Sequence, residues 1–124
     1  MEKKKIKDLV ILNDSYNSNI KGFLSALEIL SLSKTRKYII TPGIVENIDK
    51  VNNINKQIAS KITEICDFCY LINNKNAEIY VKEFKKLNYN QYSMKNSFQE
   101  AFLEVKNKEG TLLIENDLTD FYYL

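Results

Sequence analysis

Hydrophobic residues follow two different spacings along this chain of 124 residues. Four segments carry apolar side chains three or four positions apart, which is the spacing of one helix face. They span residues 20–30, 51–65, 77–84 and 98–105. Short continuous apolar runs lie between them, at residues 9–12, 38–40, 68–72 and 111–114, with a weaker run at 89–94. Such runs are typical of strands that are buried on both faces.

The alternation of strands and helices predicts the fold class. It favours an α/β, Rossmann-like, doubly wound, mostly parallel sheet of about five to six strands with about four helices, in three layers with right-handed crossovers. Residues 3–7 are predicted to add a short edge strand, because lysines suit an exposed edge. No repeat or linker divides the sequence, so we expect residues 1–124 to form a single domain.

The composition excludes several classes of function. Histidine is absent, which removes the commonest general base and metal ligand. The three glycines Gly22, Gly43 and Gly110 cannot supply a P-loop or a G-x-G-x-x-G motif. A net charge of +2 is too small to favour nucleic acid. With no long apolar run and no signal-peptide pattern, we expect a cytoplasmic protein that binds neither nucleic acid nor membrane.

Cys66 and Cys69 form a C-x-x-C pair that two kinds of site could use. Redox pairs lie at a helix N-terminus, and zinc sites need a second pair or histidines. Residues 66–72 instead have the pattern of a strand, in which the two cysteines would point to opposite faces. We therefore predict two reduced cysteines with a structural role.

Polar residues are concentrated after the first predicted strand. Residues 13–19 read N-D-S-Y-N-S-N and lie between two segments that are expected to be buried. Ser18 or Asn19 would make a good N-cap for the following helix, so a capped turn explains part of this segment. In doubly wound sheets, however, ligands bind outside the carboxyl ends of the strands, where Asp14 could accept hydrogen bonds from ribose hydroxyls. The local chemistry leaves both interpretations open.

A second polar segment follows the last predicted strand. Residues 115–120 read E-N-D-L-T-D and contain three carboxylates. They would suit a solvated terminus or the rim of a site. Clustered carboxylates also suit Mg²⁺, but the segment does not have the ligand spacing of an EF-hand.

Four segments, in order along nearly the whole chain, resemble motifs of the Mur ligase family. N-D-S-Y-N-S-N at residues 13–19 resembles the family's D-D-S-Y-N-A/S-N-P, and I-I-T-P-G-I-V-E at 39–46 resembles T-P-G-M-x-E-L. C-D-F at 66–68 is similar to the family's entry into the third strand, and E-N-D-L-T-D-F-Y at 115–122 resembles E-N-D-L-P-D-x-Y. The similarity is greatest to the branch that adds D-alanyl-D-alanine to the muramoyl tripeptide.

The resemblance implies the C-terminal domain of an ATP-dependent, amide-forming ligase of peptidoglycan precursor synthesis. Its partners would be a central P-loop ATPase domain and a UDP-sugar-binding domain, both missing here, and a small-molecule substrate. ATP and Mg²⁺ would serve the full-length enzyme, with neither expected to be bound to this domain alone. The domain would contribute to binding the nucleotide ribose and the incoming amino acid or dipeptide, and it would be inactive in isolation.

The family motifs also imply roles for individual residues. Asp14 is similar to the ribose-binding carboxylate, and four residues correspond to the segment that faces the incoming substrate: Tyr16, Asn17, Ser18 and Asn19. Four further residues lie in possible site loops without an assigned role: Glu46, Asn116, Asp117 and Asp120. No catalytic residue and no metal ligand is expected in this chain.

Departures from the family motifs keep a second interpretation open. Ile20 and Thr119 stand where the family has proline, and Asn47-Ile48 replaces Leu-Gly. These differences indicate a divergent member, or a stand-alone α/β binding or interaction module that kept the fold and lost the reaction. A receiver-type switch is disfavoured, because Asn73 and Glu115 stand where such domains need Asp and Lys.

Overall fold

The computed structural model describes residues 1–15, 19–44 and 51–115. These residues form an α/β domain in which strands and helices alternate as predicted. The elements are β1 (Glu2–Ile6), β2 (Leu9–Asp14), α1 (Ile20–Ser31), β3 (Lys37–Thr41), α2 (Val51–Ile65), β4 (Phe68–Ile72), α3 (Ala77–Lys86), β5 (Tyr92–Lys95), α4 (Phe98–Val105) and β6 (Gly110–Glu115). The predicted fold class is confirmed, including the short edge strand at the start.

The six strands form one sheet in the order β1-β2-β6-β3-β4-β5. β1 runs antiparallel to β2, and every other neighbouring pair is parallel. The last strand therefore lies between two strands that come early in the chain. This insertion brings the carboxyl ends of β2, β6 and β3 next to one another.

Two hydrophobic cores cover the two faces of the sheet. One core contains the buried stripes of α1, α2 and α3, and the other contains that of α4. Right-handed crossovers explain this division: the chain moves across the sheet in one direction from β2 to β5 and returns from β5 to β6. The three layers follow from this reversal.

Two of the helices begin at side-chain caps. The Asn19 carboxamide oxygen accepts from the Gly22 amide at 2.8 Å, and the Ser97 hydroxyl accepts from the Glu100 amide at 3.2 Å. Each cap contributes about 1 kcal/mol by satisfying a donor that has no partner within the helix. Asn19, one of the residues considered as an N-cap for α1, caps the helix.

The edge strand β1 is almost wholly exposed. Its sequence E-K-K-K-I pairs with β2 on one side, and its lysines lie in solvent. Charged side chains on an exposed edge oppose pairing with a strand of another molecule. This agrees with the solvated edge expected from the sequence.

The weakest predicted strand is shorter than its apolar run. β5 begins at Tyr92, because Asn88 takes a left-handed conformation (φ 57°) after α3 and the chain turns there. Tyr89 is buried instead, and its hydroxyl donates to the carbonyl of Cys66 at 3.0 Å. The apolar run at 89–94 therefore belongs partly to the turn between α3 and β5 and partly to β5 itself.

The predicted placement of the cysteines on opposite faces is wrong. β4 begins at Phe68, so Cys66 lies in the turn before it, and both cysteines belong to the core under α1–α3. Strand alternation does not apply to a residue outside the strand. Both thiols are free and buried, as the structural interpretation expects.

These thiols are expected to be unreactive in the folded protein. Burial raises the pKa of both Cys66 and Cys69 above its ordinary value, and only the thiolate is a strong nucleophile. A maleimide or disulfide reagent should modify neither cysteine in native buffer and both in denaturant. Leu32→Cys, at a position that is 78% exposed, supplies a reactive control. Rapid labelling of the native wild-type protein would contradict the expectation.

Candidate ligand site at the carboxyl end of the sheet

Polar residues end three neighbouring strands. Asp14 at the end of β2 pairs in register with Glu115 at the end of β6. The last residue of β3 that pairs with β6 is Ile40, opposite Ile114, and β3 ends one residue later at Thr41. Because alternate side chains share a face, Asp14, Glu115 and Thr41 lie on the face that packs against α1–α3. The sheet thus gathers two carboxyl groups and a hydroxyl at one edge.

Glu115 has an unusual environment for a carboxyl group. Its side chain has no solvent exposure, whereas Asp14 is partly exposed. Burial, and then the hydrogen bond and charge of Asp14, raise the pKa of Glu115 to about 11. This environment favours the neutral form of Glu115.

The backbone turns sharply directly after Asp14. The Asn13 carboxamide oxygen accepts from the Ser15 amide at 3.0 Å, and the Asn13 amide group donates to Glu2 at 3.4 Å. This short side-chain turn ends the strand. Ser15 is buried, and its hydroxyl has no hydrogen-bond partner among the residues that the structure describes.

A buried hydrogen-bond network holds the chain where it leaves β3. Asn55 of α2 binds both backbone groups of Ile44: its oxygen accepts from the amide at 3.0 Å and its nitrogen donates to the carbonyl at 3.1 Å. Asn76 donates to the same carbonyl at 3.1 Å, and the Tyr80 hydroxyl donates to the Asn55 oxygen. We call Ile44, Asn55, Asn76 and Tyr80 the Asn55 latch.

Gly43 is required for the Asn55 latch to close. It adopts a φ of 77°, and a Cβ added there would lie 2.4 Å from the Tyr80 ring. Asn74 holds the preceding residue, because its amide group donates to the carbonyl of Pro42 at 2.7 Å. The loops that follow β3 and β4 are therefore joined by the carboxamides of Asn74, which is half-buried, and Asn76, which is buried.

The described residues include two of the predicted site residues. Asp14 lies at the carboxyl end of β2, as the ligand interpretation requires. Asn19 caps α1 through its carboxamide oxygen, so a substrate contact by this residue stays a prediction. The other seven lie outside the described residues: Tyr16, Asn17, Ser18, Glu46, Asn116, Asp117 and Asp120.

Two polar residues of this region were not singled out from the sequence. Asn55 belongs to the buried face of α2, and a carboxamide within an apolar stripe is a signal for an internal hydrogen bond. Glu115 directly follows the buried run of β6, and a carboxylate that continues such a run is a signal for a site. Both signals were present in the sequence.

A cavity of the described structure lies elsewhere, away from these carboxyl ends. It has a volume of about 680 Å³ and lies at the amino ends of β3 and β4, beside α4. Its lining residues are Arg36, Tyr38, Phe68, Tyr70, Glu104, Lys108 and Glu109. Tyr38 and Tyr70 are almost fully buried, and the charges at its rim have both signs, so the lining does not select a class of ligand.

Two kinds of feature are absent from the part of the chain that the structure describes. Within residues 1–15, 19–44 and 51–115, no group of three or more His, Cys, Asp or Glu side chains could hold a metal ion. None of the described helices is long and apolar enough to cross a membrane.

The fold matches solved structures of Mur ligases. One is MurF ligase from Thermotoga maritima in complex with ADP, with a TM-score of 0.72 and 16% sequence identity over 95% of this chain. Another is MurF from Acinetobacter baumannii, with a TM-score of 0.71 and 14% identity over 93% of this chain. The matches cover only 27% and 26% of the two MurF chains. No family model matches the sequence, and no curated protein matches it either.

These matches define the class of fold. The chain has the fold of a Mur ligase C-terminal domain, which confirms the resemblance seen in the motifs. It spans about a quarter of the length of the MurF chains that it matches.

Proposed function

We propose that this chain acts as the C-terminal domain of an ATP-dependent, amide-forming Mur-type ligase in peptidoglycan precursor synthesis. The observation that carries the proposal is the position of Asp14. It ends β2 beside the inserted strand β6, in a fold that matches MurF over 95% of this chain. Ligands of doubly wound sheets bind at such carboxyl ends.

The domain's contribution would be to binding. An ionised carboxylate accepts hydrogen bonds through two oxygens, so Asp14 can receive both hydroxyls of a nucleotide ribose. The segment from Tyr16 to Asn19 would face the incoming amino acid or dipeptide. The P-loop domain would hold the phosphates and Mg²⁺, because the three glycines of this chain cannot form a phosphate-binding loop.

This division of labour has two consequences. The domain alone would be inactive, since the phosphate-binding loop and the UDP-sugar site would belong to its partner domains. The two free cysteines agree with a reducing, cytoplasmic environment, where such precursors would be assembled.

Asp14→Asn tests the proposal in the complete ligase, or in a mixture of this chain with the matching P-loop and UDP-sugar domains. Loss of a charged acceptor is expected to raise KM for ATP by about 10- to 100-fold, because such hydrogen bonds contribute about 1.5–3 kcal/mol. ATP-dependent ligation of the muramoyl peptide is the measurement.

Asp8→Asn is the matched control, since Asp8 is exposed and lies at the amino end of the same strand. It should leave KM unchanged. Equal KM values for the wild-type protein and Asp14→Asn would refute the role of Asp14, and absence of ligation in any complete context would refute the ligase.

A stand-alone binding module is the second candidate, favoured by the replacement of two family prolines by Ile20 and Thr119. The native reading frame upstream of Met1 distinguishes the two candidates. An in-frame G-x-x-G-K-[ST] motif there supports the ligase. A frame without that motif, together with inactivity in every mixture, supports the module.

A further inference from the structure

Glu115 presents a problem of hydrogen bonding. Its side chain is 0% exposed, and neither of its carboxyl oxygens receives a hydrogen bond from a conventional donor among the described residues. Burying an ionised carboxylate without a donor or a cation costs more than a folded domain can normally offset. Some other arrangement of charge or protons must therefore hold at the end of β6.

Within the described residues, the elements around Glu115 supply no cation. β3 presents Thr41, whose hydroxyl oxygen accepts from the Gly43 amide at 3.0 Å. The charged residues of α1, Lys21 and Glu28, are both exposed, and Glu28 pairs with Lys61 of α2 at 3.3 Å. On β1, Glu2 accepts from Asn13, which lies on the opposite face of the sheet from Glu115.

The described register partner of Glu115 is itself an acid. Asp14 and Glu115 are register partners on adjacent parallel strands and project from the same face. Two ionised carboxylates on these adjacent strands would repel each other, and the Glu115 side chain is fully buried. A single proton between them removes the repulsion and provides the missing donor, as in other carboxyl pairs that share a proton.

We propose that Asp14 and Glu115 share one proton, with Glu115 as the neutral acid that donates its O–H to the Asp14 carboxylate. Glu115 is then a positioning residue for Asp14. The assignment of charge follows from exposure: the buried acid keeps the proton, and the partly exposed acid keeps the charge.

This pair has a defined ligand preference. It carries one negative charge, placed on Asp14, and a carboxylate accepts hydrogen bonds through both of its oxygens. A neutral diol, such as the two hydroxyls of a ribose, can donate to such a carboxylate without displacing the shared proton. A divalent cation would have to displace the proton to bind both acids. The inference thus deepens the proposed function and, for the choice of diol, rests on it.

The proton itself can be observed on the intact chain without any ligand. Carbon-13 NMR of labelled side-chain carboxyls should show Glu115 in its protonated form from about pH 5 to about pH 8, where an ordinary Glu is ionised. The exposed Glu78 is the internal control. Titration of Glu115 in the ordinary range of Glu would overturn the shared proton.

The shared proton also gives stability a pH dependence of known sign. The folded chain keeps a proton on Glu115 up to a pKa of about 11, whereas the unfolded chain releases it above the ordinary Glu pKa of 4.5. The unfolding equilibrium constant should therefore rise with pH between these two values. The rise is about tenfold per pH unit for one proton. Glu115→Gln, which keeps the donor but cannot ionise, should lose this dependence. Equal slopes for the two proteins would overturn the proposal.

Positioning is tested by ATP affinity in the complete ligase. Glu115→Gln still donates to Asp14 and should stay within about twofold of the wild type, whereas Glu115→Leu removes the donor and should weaken affinity by about tenfold. Equal affinities for both variants would overturn the positioning role of Glu115. Failure of Asp14→Asn to change KM, with the NMR result intact, would count against the proposed function and leave the shared proton standing.

Discussion

Gly110→Ala is expected to destabilise the protein by about 4 kcal/mol, from backbone strain and steric overlap together. Gly110 has a φ of 144°, in a region that L-residues rarely adopt, and an added Cβ would lie 2.4 Å from the Arg36 carbonyl oxygen. The backbone cannot easily move away. The Thr111 amide donates to that same oxygen at 2.8 Å, and the Gly110 amide donates to the Asp8 carbonyl at 3.2 Å.

Urea unfolding followed by far-UV circular dichroism measures this loss of stability. Gly22→Ala is the matched control, because Gly22 lies within α1 and alanine favours a helix over glycine by up to about 1 kcal/mol. The same chemical change should therefore destabilise at one position and stabilise at the other. A midpoint for Gly110→Ala within error of the wild type would contradict the steric account.

Asn55→Leu is expected to destabilise the protein by more than about 3 kcal/mol. The leucine has a similar size, but it leaves the amide and carbonyl of Ile44 and the hydroxyl of Tyr80 without their Asn55 partner in a buried site. Each buried polar group that loses its partner costs about 1–3 kcal/mol. Asn76 still binds the Ile44 carbonyl, which limits the loss at that oxygen.

Asn53→Leu on the exposed side of α2 is the control, and it should change the free energy of unfolding by less than about 1 kcal/mol. Tyr80→Phe should cost about 1 kcal/mol, since Asn55 keeps both bonds to Ile44. Tyr80→Phe should cost less in the Asn55→Leu background, because the hydroxyl has already lost its acceptor. Additive effects would show that the latch residues act independently.

The sequence pattern predicted the elements because each one has a long, regular apolar spacing. α2 and α4 occupy the predicted ranges, and β4 coincides with its apolar run. The errors arise where local pattern and tertiary contacts disagree. Cys66 was assigned to a strand from its neighbours, but its carbonyl binds the Tyr89 hydroxyl in a turn. The sequence suggested two roles for Asn19, a helix cap and a substrate contact. The cap forms through a local hydrogen bond, and the substrate contact stays a prediction.

The candidate site was predictable in part. The position of Asp14 followed from a strand pattern and a motif, both of which are local. The pairing of Asp14 with Glu115 was not predictable in the same way, because it depends on which strands become neighbours. The partners of Asn55 come from β3 and α3, so its role likewise depends on the packing of separate elements.

The insertion of β6 between β2 and β3 also makes completion of the sheet depend on residues made late in synthesis. Until residues 110–115 leave the ribosome, β2 and β3 each have an unpaired edge, and α1 spans a gap in the sheet. Closing the gap joins residues about a hundred positions apart, and contacts of such long range form slowly. The pairing of Asp14 with Glu115 at the candidate ligand site therefore depends on one of the longest-range strand pairings of the described sheet.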